Sequence, residues 1–395
     1  MTQVINNAIR LRMRRSFIVI ITLLFICTAN AEEPGGKILA AQVFHSDARD
    51  IAGFEKEVVR MKRLGINTII FRVFGNKGDR IYGFARPKAD QGVYFKTAHS
   101  PVIDDILGQV AEAAHRHGIK LFAWMTTRHA IYGATGDMLD REYSLSEKGF
   151  KTVPKLDLFN EKSVRRLENL YKDLAAYPID GVLIQDDFVM RHMEGFGPAA
   201  RVAYTGQYGK TLEPANMFSS FELKPNGRVE RIIYTEEFWD FAGWKNARLR
   251  TVADRLIKTL KMKRPGIKVA LNVSYELFQK PENALAWFAH DAVLARQFDY
   301  AAVMAYQDQI KKELGINVQQ AGSLIEDNTE AAIKVMGSPG RVIMKIQTVN
   351  WDTREPLPNA EVRYIYHKVR SASPDVGIAL VPWEKGEDFS FLIRD

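Results

Sequence analysis

Only one cysteine, Cys27, occurs in the 395 residues, which excludes a disulfide framework and a cysteine-based metal site. No apolar run is long enough to make a good membrane span; the best, residues 16–27, is about a dozen long. There is no Gly-x-Ser-x-Gly elbow, no Walker-type phosphate loop and no glycine-rich dinucleotide fingerprint after any strand. The eight histidines show no metal-binding spacing; His115 and His117, two apart on a predicted helix, face different directions. No internal repeat, low-complexity tract or second hydrophobic core is evident.

What is present is globular. Hydrophobic residues make up 46%, charged residues 26% and aromatic residues 11%, and the length suits one large barrel or two ordinary domains. Arg10, Arg12, Arg14 and Arg15 precede the short apolar stretch, and Ala29, Asn30 and Ala31 follow it in the small-x-small form of a signal peptidase site. Residues 1–31 therefore read as a signal peptide, with Glu32 first in the mature chain and an uncleaved anchor as the alternative. Removing those four arginines lowers the net charge from +8 to +4, so no nucleic-acid partner is expected. The expected location is the periplasm or the exterior.

Beyond residue 32 the pattern alternates strand and helix. Strands are predicted at 37–44, 68–74, 121–125, 181–185, 269–273, 300–305, 342–346 and 376–381. The helices between them are predicted at 50–64, from a Ser100-Pro101 cap to Gly118, after Asn160, at 238–263, at 284–297, in a broken region over 318–336, and at 361–370. Eight strands with intervening helices are the sequence form of a single (β/α)8 barrel over 32–395, with an open doubly wound sheet as the rival. Helix-to-strand connections are short. Those after strands two, three and four are long: 75–99, 126–159 and 188–235. In a barrel they emerge together on the catalytic face, as the walls of a groove suited to a polymer.

The strongest local signal is 180–187 (DGVLIQDD), an apolar strand running into two adjacent carboxylates. Like charges beside buried apolar surface raise at least one pKa, as a general acid at neutral pH needs. Alternation from Leu183 and Gln185 points Asp187 to the barrel axis and starts Asp186 on the other side. Asp187 is thus the expected acid. Asp186 and Glu194 are the neighbours expected to set its pKa or position the attacking group, since glycosidases use two carboxyls. Other strand ends carry groups suited to sugars: Arg72, Trp124, Arg128, Asn272, Tyr306, Gln307, Gln347, Asn350, Trp351, Trp383 and Glu384. No metal or cofactor is expected.

Several segments, in order, carry a resemblance: 121–125 (LFAWM), 170–175 (LYKDLA), 180–187, 284–289 (ALAWFA), 303–306 (VMAY) and 347–351 (QTVNW). Together the chain resembles the C-terminal glycoside hydrolase domain of PgaB-type proteins, which process exported poly-β-1,6-N-acetylglucosamine. The resemblance implies a (β/α)8 barrel, endo-cleavage of the partly de-N-acetylated polymer without a cofactor, and acidic site residues at Asp186, Asp187 and Glu194. Gln185 stands where that family usually has His. The family's deacetylase domain is not expected here, because strand one begins soon after the expected cleavage site. Chitinase-type barrels carry Asp-Gly-x-Asp-x-Asp-x-Glu at strand four; laid on Asp180 and Gly181, its terminal acid falls on Asp187 and its inner acids on Leu183 and Gln185. The expected partners are a polysaccharide substrate and the exopolysaccharide export machinery. The alternatives are a non-catalytic barrel that guides polysaccharide, or a hydrolase of an unrelated exopolysaccharide.

Overall fold

In the computed structural model, residues 37–227, 229–384 and 389–393 are described. The expected signal peptide, Cys27 and Glu32 lie outside them. Eight parallel strands pair in sequence order and close on themselves: β1 Leu39–Val43, β2 Thr68–Arg72, β3 Lys120–Met125, β4 Gly181–Ile184, β5 Lys268–Ser274, β6 Tyr300–Ala305, β7 Val342–Gln347 and β8 Gly377–Val381. The pairing of β1 with β8 rules out the open sheet.

Which side chains point inward follows from one contact. The rings of Phe122 on β3 and Tyr300 on β6 approach to 6.1 Å, across the barrel. A Cβ on the adjacent Gly181 would stand 2.6 Å from the Phe122 ring, so only glycine leaves that ring its place. Register then carries this parity round the sheet: Ile70 pairs with Phe122, Leu183 with Trp124, Asn272 with Ala302 and Lys345 with Met304. At the C-terminal mouth the inward positions are therefore Phe44, Arg72, Trp124, Asn272, Tyr306 and Lys345.

The helices form where apolar spacing and caps agree. Asp50 caps Ile51–Arg63, which buries Phe54, Val58 and Met61. Asn160 caps Glu161–Leu174, and Thr235 caps Glu236–Lys263.

Three expectations change, and one helix is added. Ser100-Pro101 caps nothing: the helix starts later, at Leu107–Arg116, because Asp104 and Asp105 accept from Arg86 N–H and the Tyr177 hydroxyl instead. Residues 284–297 are not one helix. Pro281–Phe288 ends at a left-handed Ala289 (φ 54°), and Ala292–Arg296 starts afresh under an Asp291 cap. Conversely, Val318–Met336 is unbroken, started by a capping box of Asn317 and Gln320. Gln307–Leu314 adds a helix after β6.

The long loops are also structured. The β3 loop holds a hairpin, Leu139–Ser144 with Gly149–Leu156. The β4 loop holds the helix Pro198–Tyr208 and a second hairpin, Phe218–Leu223 with Val229–Tyr234. Contrary to expectation they build a second apolar cluster, in which Leu145, Met193, Phe196 and Tyr204 pack on Phe238, Phe241 and Trp244. This cluster explains how such long connections hold their shape. Among the described residues, no helix is long and apolar enough to cross a membrane.

Candidate active site

β4 stops at Ile184, and the chain turns at Asp186 and Asp187, with Phe188 N–H donating to Gln185 O at 3.3 Å. The turn ends strand alternation, so the two acids are placed differently from what that alternation predicts. Asp187 swings under the β3 loop and is buried. Its oxygens accept from the hydroxyls of Thr126 (2.7 Å) and Thr127 (2.8 Å) and from the backbone N–H groups of Thr127 (2.9 Å) and His129 (2.7 Å). Four donors occupy the carboxylate, and none of its lone pairs is left to face a glycosidic bond. Asp187 is the tie that holds residues 126–129 to β4.

Asp186 is exposed, yet protein crowds its base. Desolvation, then repulsion from Asp187, pushes its carboxyl above the usual range, with Lys345 opposing. Lys345 lies beneath it inside the barrel, 1% exposed, donating to Asn272 Oδ1 at 2.7 Å and standing 5.5 Å from the Tyr306 ring centre. Burial brings the Lys345 ammonium down to about 7, against the pull of Asp186. Burial, with Asp186 nearby, raises the Tyr306 phenol well above its ordinary value. His129 borders the same acids: its Nδ1 is 3.9 Å from Asp187 Oδ2, and burial lowers its pKa.

A row of rings runs from this point across the mouth. Tyr306 meets Trp351 edge-on at 5.4 Å, Trp351 lies nearly parallel to Phe44 (10°, 6.4 Å), and Phe44 packs on Trp124 at 4.7 Å. Tyr306, Trp351 and Phe44 are each half-buried, the arrangement of a platform for sugar faces. Arg72 completes it, its guanidinium 5.7 Å from the Trp124 ring and paired with Asp79.

The remaining expected residues are placed elsewhere. Glu194 and Arg128 do not face the mouth. Arg128 is fully buried and donates to Glu194 and, at 2.6 Å, to Asp140; Lys155 adds a second cation on Glu194. Burial alone pushes Glu194 up, but Arg128 and Lys155 hold its carboxyl well below the usual range. The buried Lys245 donates to the carbonyls of Arg191 (2.6 Å) and His192 (3.1 Å). These ions lock the β3 and β4 loops together. Gln347 is also committed internally: its Nε2 donates to Val349 O at 2.7 Å, and its Oε1 accepts from Gln309 N–H at 3.2 Å. Trp383 stands at the expected barrel end, but its ring turns outward, to Phe389 (5.0 Å) and the Arg60 guanidinium (5.9 Å).

Lys345, Phe44 and His129 were not among the expected site residues. Lys345 had a signal, a lone cation in the apolar strand VIMKIQ on the parity of Ile343 and Gln347. Phe44 had a weaker one, as an inward position just past β1. His129 had none. Among the described residues, no group of three or more His, Cys, Asp and Glu is placed to hold a metal.

A family model described as hypothetical glycosyl hydrolase family 13 matches residues 46–373. No curated protein matches the sequence. Among solved structures, the PgaB (BpsB) glycoside hydrolase domain from Bordetella bronchiseptica is similar, with a TM-score of 0.68 and 20% identity over 88% of this chain and 94% of that one. The catalytic domain of β-amylase from Paenibacillus polymyxa follows at a TM-score of 0.55 and 12% identity, over 88% and 93%. β-Galactosidase from the psychrophilic Marinomonas ef1 gives 0.57 and 13%, over 88% of this chain and 54% of that one. At these identities the likeness is one of fold.

Proposed function

We propose that this chain, which belongs to hypothetical glycosyl hydrolase family 13, uses Asp186 as the general acid of a glycoside hydrolase acting on an amino-sugar polysaccharide. The observation that carries the reading is the placement of Asp186: an exposed carboxyl at the end of the aromatic row, over a buried lysine. Desolvation moves its carboxyl above the usual range, in the direction a general acid needs. The proton passes to the glycosidic oxygen as the bond from that oxygen to the anomeric carbon breaks; water adds its hydroxyl to the anomeric carbon, and its remaining proton is released to solvent, from which Asp186 is reprotonated. Between giving its proton and regaining one, Asp186 is an anion, and the buried Lys345 ammonium, held by Asn272, stabilises it. Tyr306 and Trp351 give the sugar its apolar platform.

The substrate we assign is partly de-N-acetylated poly-β-1,6-N-acetylglucosamine, cut within the chain. Three things support it: the ordered sequence resemblance, the shared fold of the PgaB glycoside hydrolase domain, and a mouth walled by the long β2, β3 and β4 loops. The signal-like N-terminus supports a periplasmic or secreted location, with polysaccharide export machinery as a partner. The test is incubation of the purified protein with defined oligosaccharides, read by mass spectrometry. Cleavage products from β-1,6-linked hexosamine chains are expected. Binding to those chains without cleavage of any member would favour a guiding barrel, and cleavage of other linkages alone would reassign the substrate.

A further inference from the structure

Beyond Phe44 the mouth opens into a cavity of about 830 Å3, bounded by Phe44, His45, Arg72, Arg354, Leu357 and Glu384. It lies at the ends of β1, β2, β7 and β8, and the row Phe44, Trp351, Tyr306 connects it to Asp186. Its charges are not all spent. Arg72 is paired with Asp79, and the neighbouring Arg80 with Asp47. The side chains of His45, Arg354 and Glu384 make no hydrogen bond among the described residues.

The loop that presents Arg354 is elaborately held. Val349 bridges Pro356. Asn350 Oδ1 accepts from the N–H groups of Asp352 (2.9 Å) and Thr353 (3.0 Å), while Asn350 Nδ2 donates to Asp308 at 3.0 Å. Arg354 itself is left-handed, with φ 65°, an unusual conformation for a residue with a Cβ. Such strain persists where surrounding structure imposes it, and it clusters at ligand sites. Here its result is a guanidinium at the rim of the cavity.

We infer that this cavity is a second saccharide position of the same groove, taking pyranose units remote from the bond that is cut. The inference rests on the proposed hydrolase reading. The chemistry suits a sugar ring: planar donors on Arg354, acceptors on Glu384, and apolar faces on Phe44 and Leu357. The volume lies within the range of pockets that enclose ligands larger than one ring. Arg354 brings a cation and Glu384 a carboxylate to the same cavity, a mixture that suits hydroxyl-rich units better than a strongly charged group of either sign. Occupying this position adds binding energy only for long chains, so it sets a length preference.

The experiment compares kcat/KM for a tetramer and an octamer of β-1,6-linked hexosamine, in wild type, Arg354→Ala and Glu384→Gln. Binding of both oligomers to Asp186→Asn is measured by calorimetry alongside. Wild type is expected to favour the octamer by about tenfold or more, the worth of one good set of contacts. Each substitution should bring that ratio towards one without moving the melting temperature. A ratio unchanged in both variants, or no ratio in wild type, overturns the subsite. If no chain is cleaved but Asp186→Asn binds the octamer more tightly, the subsite stands and the hydrolase reading falls. Equal affinity for both lengths removes the subsite.

Discussion

Asp186 and Asp187 are adjacent in sequence but opposite in circumstance: Asp187 is buried under four donors from residues 126–129, and Asp186 is exposed over Lys345. One is committed to holding the fold and the other is available to a substrate. Asp187→Asn puts an amide donor among two backbone N–H groups, which can only donate, and two hydroxyls, which would have to turn to accept. It should lower stability by about 3 kcal/mol, read by urea denaturation. A normal denaturation midpoint combined with lost cleavage would return the acid's role to Asp187.

Lys345→Met should leave Asp186 without the cation that opposes the rise of its pKa. The active form carries the proton, so activity falls as pH rises through that pKa. The basic limb of the kcat/KM profile should therefore move to higher pH. Maximal kcat should also fall, because the anion left after proton transfer loses its counter-charge. An unmoved limb would mean that Lys345 does not act on Asp186.

Glu194→Gln should destabilise by about 3–5 kcal/mol at neutral pH, since Arg128 and Lys155 would be left around an uncharged group. The pKa of Glu194 is depressed in the fold. Its contribution is thus full above the unfolded value of about 4.3 and is lost as pH falls through the lower folded value. The gap between wild type and variant should narrow below about pH 4. Chemical denaturation at a series of pH values reads it, and a gap constant with pH would deny the ion pair its role.

Trp351→Ala should raise KM about tenfold, the worth of roughly 1.4 kcal/mol of ring contact, with the fold intact. An unchanged KM on every chain length would take Trp351 out of the platform.

The barrel was legible because its signal is distributed: eight apolar strands, helices with one apolar face, and short returns into each strand. What failed were readings that assumed regularity past an element's end. Extending the alternation of Leu183 and Gln185 points Asp187 inward, and the turn at Asp186 stops that alternation. Arg128 reads as a site residue because it is polar near a strand end, and Glu194 because it is a second acid on the loop that follows Asp187, but their pairing is tertiary, across 66 positions. Gln347 is satisfied by the neighbouring Gln309 and by Val349, which no spacing rule anticipates. Lys345 does carry a legible signal: a buried lysine in an apolar strand is costly unless answered.

The central claim is that Asp186 gives the proton. The most direct measurement is the initial rate of chain cleavage by Asp186→Asn, beside its thermal melt and its affinity for the uncut chain. The rate should fall by about a hundred- to ten-thousand-fold, with melting and binding close to wild type. Wild-type cleavage by a normally folded Asp186→Asn would contradict the account and place the acid elsewhere in the mouth.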